Sequence, residues 1–154
     1  RQMCIRDSYD MGELKVQALG SNDAGVSFLV HYGGKTIFHA GDLNDWSWYV
    51  RKGEIHDEAY RRRMREEFRK ELEPLLGVHM DAAFVVMDMR LEERYKNGID
   101  YFLHTMDADA VFPMHLWGRY DLIPQYKKKL ILAGEPELAK KVMDIREENQ
   151  IFEL

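Results

Sequence analysis

Residues 13–19 alternate polar and apolar positions, with Leu14, Val16 and Ala18 on one side. That period of two predicts a strand with one face turned to a core. Gly20-Ser21-Asn22-Asp23-Ala24-Gly25 is a loop by composition. Residues 26–32 and 35–40 are strand-like and flank Gly33-Gly34, a pair suited to a two-residue hairpin turn. Residues 43–53 form an aromatic loop containing Trp46, Trp48 and Tyr49. A helix is predicted over residues 56–75, because Tyr60, Met64, Phe68 and Leu72 recur every fourth position. Its Arg61-Arg62-Arg63 run reads as a solvated face, with Arg62–Glu66 and Arg63–Glu67 one turn apart.

The second half changes pattern. Ala82-Ala83-Phe84-Val85-Val86-Met87 is continuously apolar, as a buried strand requires. Residues 92–106 carry Tyr95, Ile99, Phe102, Leu103 and Met106 on one helical face, although Asn97-Gly98 weakens a helix there. Residues 109–114 predict the next buried strand. Pro124 and Gly134 punctuate the helical material that follows. Pro136 suits the first turn of a last helix with a Leu138, Val142 and Ile145 stripe, and residues 150–154 read as a closing strand. A strand meander followed by alternating helices and strands predicts an α/β (mixed α+β) fold, with helices covering a sheet.

The chain has 154 residues, enough for one domain with a real core. Its net charge of −5 argues against a general nucleic-acid surface, which is usually basic. The lone cysteine, Cys4, has no partner for an internal disulfide, so a reducing, cytoplasmic setting is expected. No apolar run approaches the roughly 20 residues of a membrane span. The start has no signal-peptide core or cleavage site.

Two strand ends carry metal-ligand chemistry. Thr36-Ile37-Phe38-His39-Ala40-Gly41-Asp42 delivers a carboxylate after a small-residue turn. Ala110-Val111-Phe112-Pro113-Met114-His115 delivers an imidazole just before Leu116-Trp117-Gly118. Oxygen and nitrogen donors on rigid strand tips suit a hard-to-borderline divalent metal. Turn-capping for Asp42 and a satisfied core position for His115 are the structural alternatives.

These motifs resemble the C-terminal part of the metallo-β-lactamase-fold metallohydrolases, over about residues 20–115. The resemblance implies part of a four-layer αββα sandwich. It implies that Asp42 bridges two metals and that His115 binds the second. It implies zinc as the expected metal, with iron or manganese as alternatives. Asp23 stands in the loop where the family often places a His ligand; an oxygen donor there would favour a harder metal. An Asx-turn is an equal reading of that loop. His39 and Asp88 are expected behind the ligands, with Asp88 also able to pair with Arg90. Trp46, Trp48 and Trp117 are expected to line a pocket or to pack the loops. His31, His56, His79 and His104 lack paired spacing and are set aside.

The family's His-x-His-x-Asp-His signature does not occur in these residues. Residues 9–154 are therefore expected to be a partial domain. Residues 1–8, which show no helix or strand period, are expected to be a non-native or disordered leader. The expected activity is metal-activated water attacking an ester, lactone or phosphodiester bond of a small-molecule substrate, in a chain inactive or nearly so alone. The general base is expected in the absent half. The competing expectation is a non-catalytic binding or dimerisation module, and a homodimer is one form it could take. An iron-binding redox protein is a third.

Overall fold

The computed structural model describes residues 7–48 and 57–153. Cys4, Tyr49, His56, most of the expected leader and the far end of the aromatic loop lie outside them. Six strands form one mixed sheet in the order β1-β2-β3-β4-β5-β6. These are β1 (Ser8–Met11), β2 (Leu14–Leu19), β3 (Ser27–Tyr32), β4 (Lys35–His39), β5 (His79–Val86) and β6 (Asp107–Met114). The first four run antiparallel. β4, β5 and β6 run parallel, so their C-terminal ends share one edge. The result is the mixed α/β architecture expected from the pattern.

The hairpin is where the sequence placed it. Gly33 and Gly34 take φ of 57° and 78°, a left-handed pair that only glycine adopts freely, and Tyr32 pairs with Lys35. β1 was not foreseen. Ser8 lies opposite Gln17, and the Asp7 carbonyl accepts from Ala18 N–H at 2.9 Å, so both residues belong to the sheet edge.

Helix α1 (Glu58–Leu72) starts at Asp57, whose carboxylate accepts from Tyr60 N–H at 2.8 Å. It ends in a 3₁₀ turn, Glu73–Leu75, where Pro74 takes a first-turn position. Of the predicted stripe, Phe68 and Leu72 are fully buried and Tyr60 and Met64 half-buried. Arg62 and Arg63 are exposed as expected, with Arg63 pairing with Glu67 at 3.8 Å, but Arg61 is mostly buried and pairs with Glu58 at 3.2 Å. The helix predicted over 92–106 is two elements. A 3₁₀ segment, Met89–Arg94, kinks at Glu92 (φ 53°), and α2 (Asn97–Thr105) begins at the Asn97-Gly98 pair instead of running through it. Gly98 is required there: a Cβ would lie 2.0 Å from Asn44 Oδ1. Phe102 of α2 stacks on Phe38 of β4 at 5.7 Å and ties helix to sheet.

After β6 come α3 (Leu122–Leu132) and α4 (Pro136–Lys141). The last helix is shorter than predicted. Val142 leaves it to bridge Val111 in parallel, and Met143 N–H donates to Val111 C=O at 2.9 Å. Pro113 is tolerated in β6 because β5 takes only one edge of that strand and Pro needs no donor on the other. The closing strand predicted at 150–154 is not formed: residues 150–153 have no regular structure. Phe152 instead packs edge-on against Phe112, at 5.1 Å.

The main core joins one sheet face (Leu29, Phe38, Ala83, Val85, Val111) to Phe68, Leu72, Ile99, Phe102 and Tyr126 of the helices. A second cluster of Ala82, Ala110 and Phe112 lies beneath Met143, Ile145 and Phe152. Among the described residues no helix is long and apolar enough to cross a membrane.

Candidate functional site

The parallel edge brings three strand ends together. β4 continues to Ala40, whose N–H donates to Phe84 C=O at 2.9 Å. Gly41 then turns the chain at φ 58°, and a Cβ there would lie 2.6 Å from Val26 C=O. A residue with a side chain would meet both strain and collision, so glycine sets the direction in which Asp42 is presented. The Asp42 carbonyl is fixed by Trp46 Nε1–H at 2.8 Å. At the next two ends, Met87 N–H donates to Met114 C=O at 3.0 Å, which locks β5 to β6. Asp88 follows the first and His115 the second.

The turn after β6 is unusual. His115 and Trp117 take φ of 59° and 52°, and Gly118 76°. Left-handed backbone at non-glycine residues costs roughly 1–3 kcal/mol each and persists where surrounding contacts hold it. The contacts here are specific. His115 Nε2 lies 3.2 Å from Asp42 Oδ1. On the other side of the ring, Nδ1 is sealed from solvent without a hydrogen bond, and Asp88 Oδ2 is 3.5 Å away. The imidazole thus sits between two carboxylates, one facing the pocket and one buried.

Asp88 is completely buried. Arg90 Nε donates to both of its carboxylate oxygens at 2.9 and 3.0 Å, and Nη2 to Oδ2 at 2.5 Å. Arg90 N–H adds a backbone bond at 2.9 Å and Trp117 Nε1–H a longer one at 3.4 Å. Burial pushes the Asp88 carboxyl up, but the Arg90 and Trp117 donors outweigh it and hold it below the usual carboxylate range. An ionised Asp88 favours a proton on His115 Nδ1. In that tautomer Nε2 would offer its lone pair to a metal beside Asp42; without a metal, Nε2, 3.2 Å from Asp42 Oδ1, is the ring nitrogen better placed to donate.

A cavity of about 590 Å³ opens over these groups. Asp23, Asp42, Trp46, Arg90, His115 and Trp117 line it. The other expected residues, Trp48, Asp88 and His39, are not in the cavity lining. Trp48 stacks on Trp46 at 5.9 Å. Asp88 lies behind His115. His39 stacks on Phe84 at 5.7 Å, and its Nδ1 accepts from Gly41 N–H at 3.0 Å. That bond leaves the neutral ring a proton on Nε2, so His39 has no free lone pair for a metal. Burial, with His115 nearby, pulls its pKa below the ordinary value. Arg90 is the site residue that the sequence reading passed over, seen there only as a partner for Asp88. The Asp-x-Arg spacing after a buried strand was the available signal.

Asp42 and His115 are two converging donors. Asp23 shares their cavity without completing a close three-donor group. The described residues do hold one group close enough for a metal, at the opposite edge of the sheet. His79, Asp81 and Asp109 have ligand atoms within 4.8 Å of one another. Those side chains already serve each other: His79 contacts Asp107 at 3.0 Å and Asp109 at 3.4 Å, and Lys35 binds Asp81 at 2.8 Å. Residue spacing does not reveal this group, since His79 reaches Asp109 only through β5–β6 register.

No family model matches the chain, and no curated protein matches it. A solved structure of a CmlA beta-hydroxylase mutant is similar at 13% identity and a TM-score of 0.44. The match covers 71% of this chain and 24% of that one, so the chain spans about a quarter of its length.

Proposed function

We propose that this chain carries part of the metal centre of a hydrolase resembling the metallo-β-lactamase-fold enzymes. The observation that carries the reading is the approach of His115 Nε2 to Asp42 Oδ1 at 3.2 Å, across two strand ends that open into one cavity. The donor set fits a divalent ion: one imidazole nitrogen with an accessible lone pair, one carboxylate, and a second carboxylate, Asp23, across the cavity. Zinc suits this mixture; iron or manganese would suit it better with Asp23 engaged.

When bound, such an ion lowers the pKa of water and polarises the bond to be broken. The chain's own residues do the rest. Asp42 and His115 hold the ion. Asp88 favours the His115 tautomer with its proton on Nδ1, and Arg90 keeps Asp88 ionised. Trp46 and Trp117 wall the cavity and bury apolar substrate surface. The substrate is a small ester, lactone or phosphodiester. A catalytic zinc takes about three protein ligands besides water, so two firm donors predict slow turnover.

The test is hydrolysis of p-nitrophenyl acetate, a γ-lactone and bis(p-nitrophenyl) phosphate with added zinc, manganese or iron(II). Slow, metal-dependent turnover of one of them, lost in Asp42→Asn and His115→Ala, supports the reading. Turnover that survives both substitutions contradicts it.

A second reading has its own observation. Val16, Val30 and Ile37 are neighbours across β2, β3 and β4 and only half-buried, as is Phe28 beside His39. An apolar sheet face of this kind fits a binding or dimerisation module. Light scattering separates the two: a defined dimer favours it, and a monomer counts against it.

A further inference from the structure

We infer that Arg90 is an anion-recognition residue of the cavity, so that the substrate carries a carboxylate or phosphoryl group beside its scissile bond. This rests on the hydrolase reading and narrows its substrate class. Arg90 lines the same cavity as Asp42 and His115. Its Nε and Nη2 are committed to Asp88, and among the described residues Nη1 makes no hydrogen bond. The guanidinium lies over the Trp117 ring, 5.0 Å from its centroid. Its side chain is still 51% exposed.

That arrangement is more than Asp88 needs. A carboxylate clamp on one edge and an indole on one face fix the guanidinium plane and leave the far edge for a ligand. A planar, pre-oriented donor pair suits a carboxylate or phosphoryl oxygen, and its side-chain entropy is already spent. Charge sets the order of events. Asp23 and Asp42 face Arg90 across the cavity and repel an anion. A divalent ion between them and His115 offsets that repulsion. Anion binding at Arg90 is therefore expected to strengthen when metal is present. Trp117, 66% exposed, offers apolar surface for the rest of the ligand.

The experiment is calorimetric titration with benzoate, phenylphosphonate and the uncharged benzamide. It is run on the zinc-saturated and the metal-free protein, for the wild type, Arg90→Gln and Arg90→Lys. Benzoate and phenylphosphonate separate the two anion chemistries. The expected result is a loss of roughly ten- to a hundredfold in anion affinity in Arg90→Gln. Benzamide binding should be unchanged and Arg90→Lys should retain part of the anion affinity. Zinc affinity should fall in Arg90→Gln, because Asp88 loses its cation, so the preference for anion over benzamide is compared at zinc saturation and again without metal.

Equal anion affinity in Arg90→Gln and wild type overturns the inference. So does a matching loss for benzamide, or a loss of anion affinity seen with zinc but absent from the metal-free protein, since Arg90 would then act only through Asp88 and the metal. If Arg90→Gln does not fold, Arg90→Lys decides: unchanged benzoate and phenylphosphonate affinity overturns the inference. If zinc does not bind at all, the hydrolase reading fails. The metal-free titration then decides separately: Arg90-dependent preference for benzoate over benzamide upholds the inference, and no preference overturns it.

Discussion

His115, held in a left-handed backbone at φ 59°, sets its half-buried ring against the fully buried Asp88, with Nδ1 and Oδ2 3.5 Å apart. The ring is held from behind, so its other nitrogen is free for the cavity. Removing the charge of Asp88 should therefore be felt at the metal. Asp88→Asn is expected to lower zinc affinity by roughly 10–100-fold, the usual effect of losing an outer-shell carboxylate. It should also cost about 2–4 kcal/mol of stability, because Arg90 loses its partner and a buried group is mismatched. Zinc titration and urea unfolding of the same variant measure the two effects.

Gly41 is the hinge on which Asp42 depends. Gly41→Ala forces a side chain into φ 58° and against Val26 C=O at 2.6 Å. A loss of roughly 1–3 kcal/mol is expected, more than an exposed turn glycine would show. Gly12 is a suitable control. Its φ is 79° but nothing lies within 4 Å of its Cβ position, so Gly12→Ala should show the backbone cost without the collision. Paired urea melts test the difference.

Acid should loosen the β4 end. Burial, with His115 nearby, lowers the His39 pKa, and the Gly41 N–H bond needs a bare Nδ1. The unfolded chain then binds a proton at this position more readily than the folded one. Stability from His39 is present above the ordinary histidine pKa of about 6.5 and falls as pH drops below it, towards the depressed folded value. His39→Gln should flatten that slope below about pH 6.5. Proton NMR should show His39 as the Nε2–H tautomer at pH 7.

All three tryptophans report on the site. The chain contains only Trp46, Trp48 and Trp117. Two line the cavity and the third stacks on the first. Metal or ligand binding is therefore expected to change most of the intrinsic fluorescence. The change should be lost in His115→Ala, whose ring lies 6.4 Å from both Trp46 and Trp117.

The hairpin, β2 and β5 were legible because they rest on local signals: Gly33-Gly34, a period of two and an unbroken apolar run; β1, which exists only by pairing with β2, was not. The strand-end positions of Asp42 and His115 were legible because each follows an apolar strand pattern; that the two ends meet is shown only by the parallel pairing of β4, β5 and β6. What could not be read was the product of register and packing. Arg90 acts through a carboxylate two residues away. The Glu92 kink breaks a well-patterned helix, and Gly98 is demanded by a side chain from a distant loop. The tail of residues 150–153 is held by the Phe152 ring and by Gln150 hydrogen bonds with Arg146 N–H and Asp144 C=O, instead of by strand pairing. The His79 group depends wholly on the alignment of β5 with β6.

The most direct test is a calorimetric zinc titration of the wild type beside Asp42→Asn, His115→Ala and His79→Ala. One site weakened at least tenfold by Asp42→Asn and by His115→Ala, and untouched by His79→Ala, is the predicted result. Zinc binding that survives the first two substitutions and disappears with the third would place the metal at the opposite edge of the sheet and contradict the account.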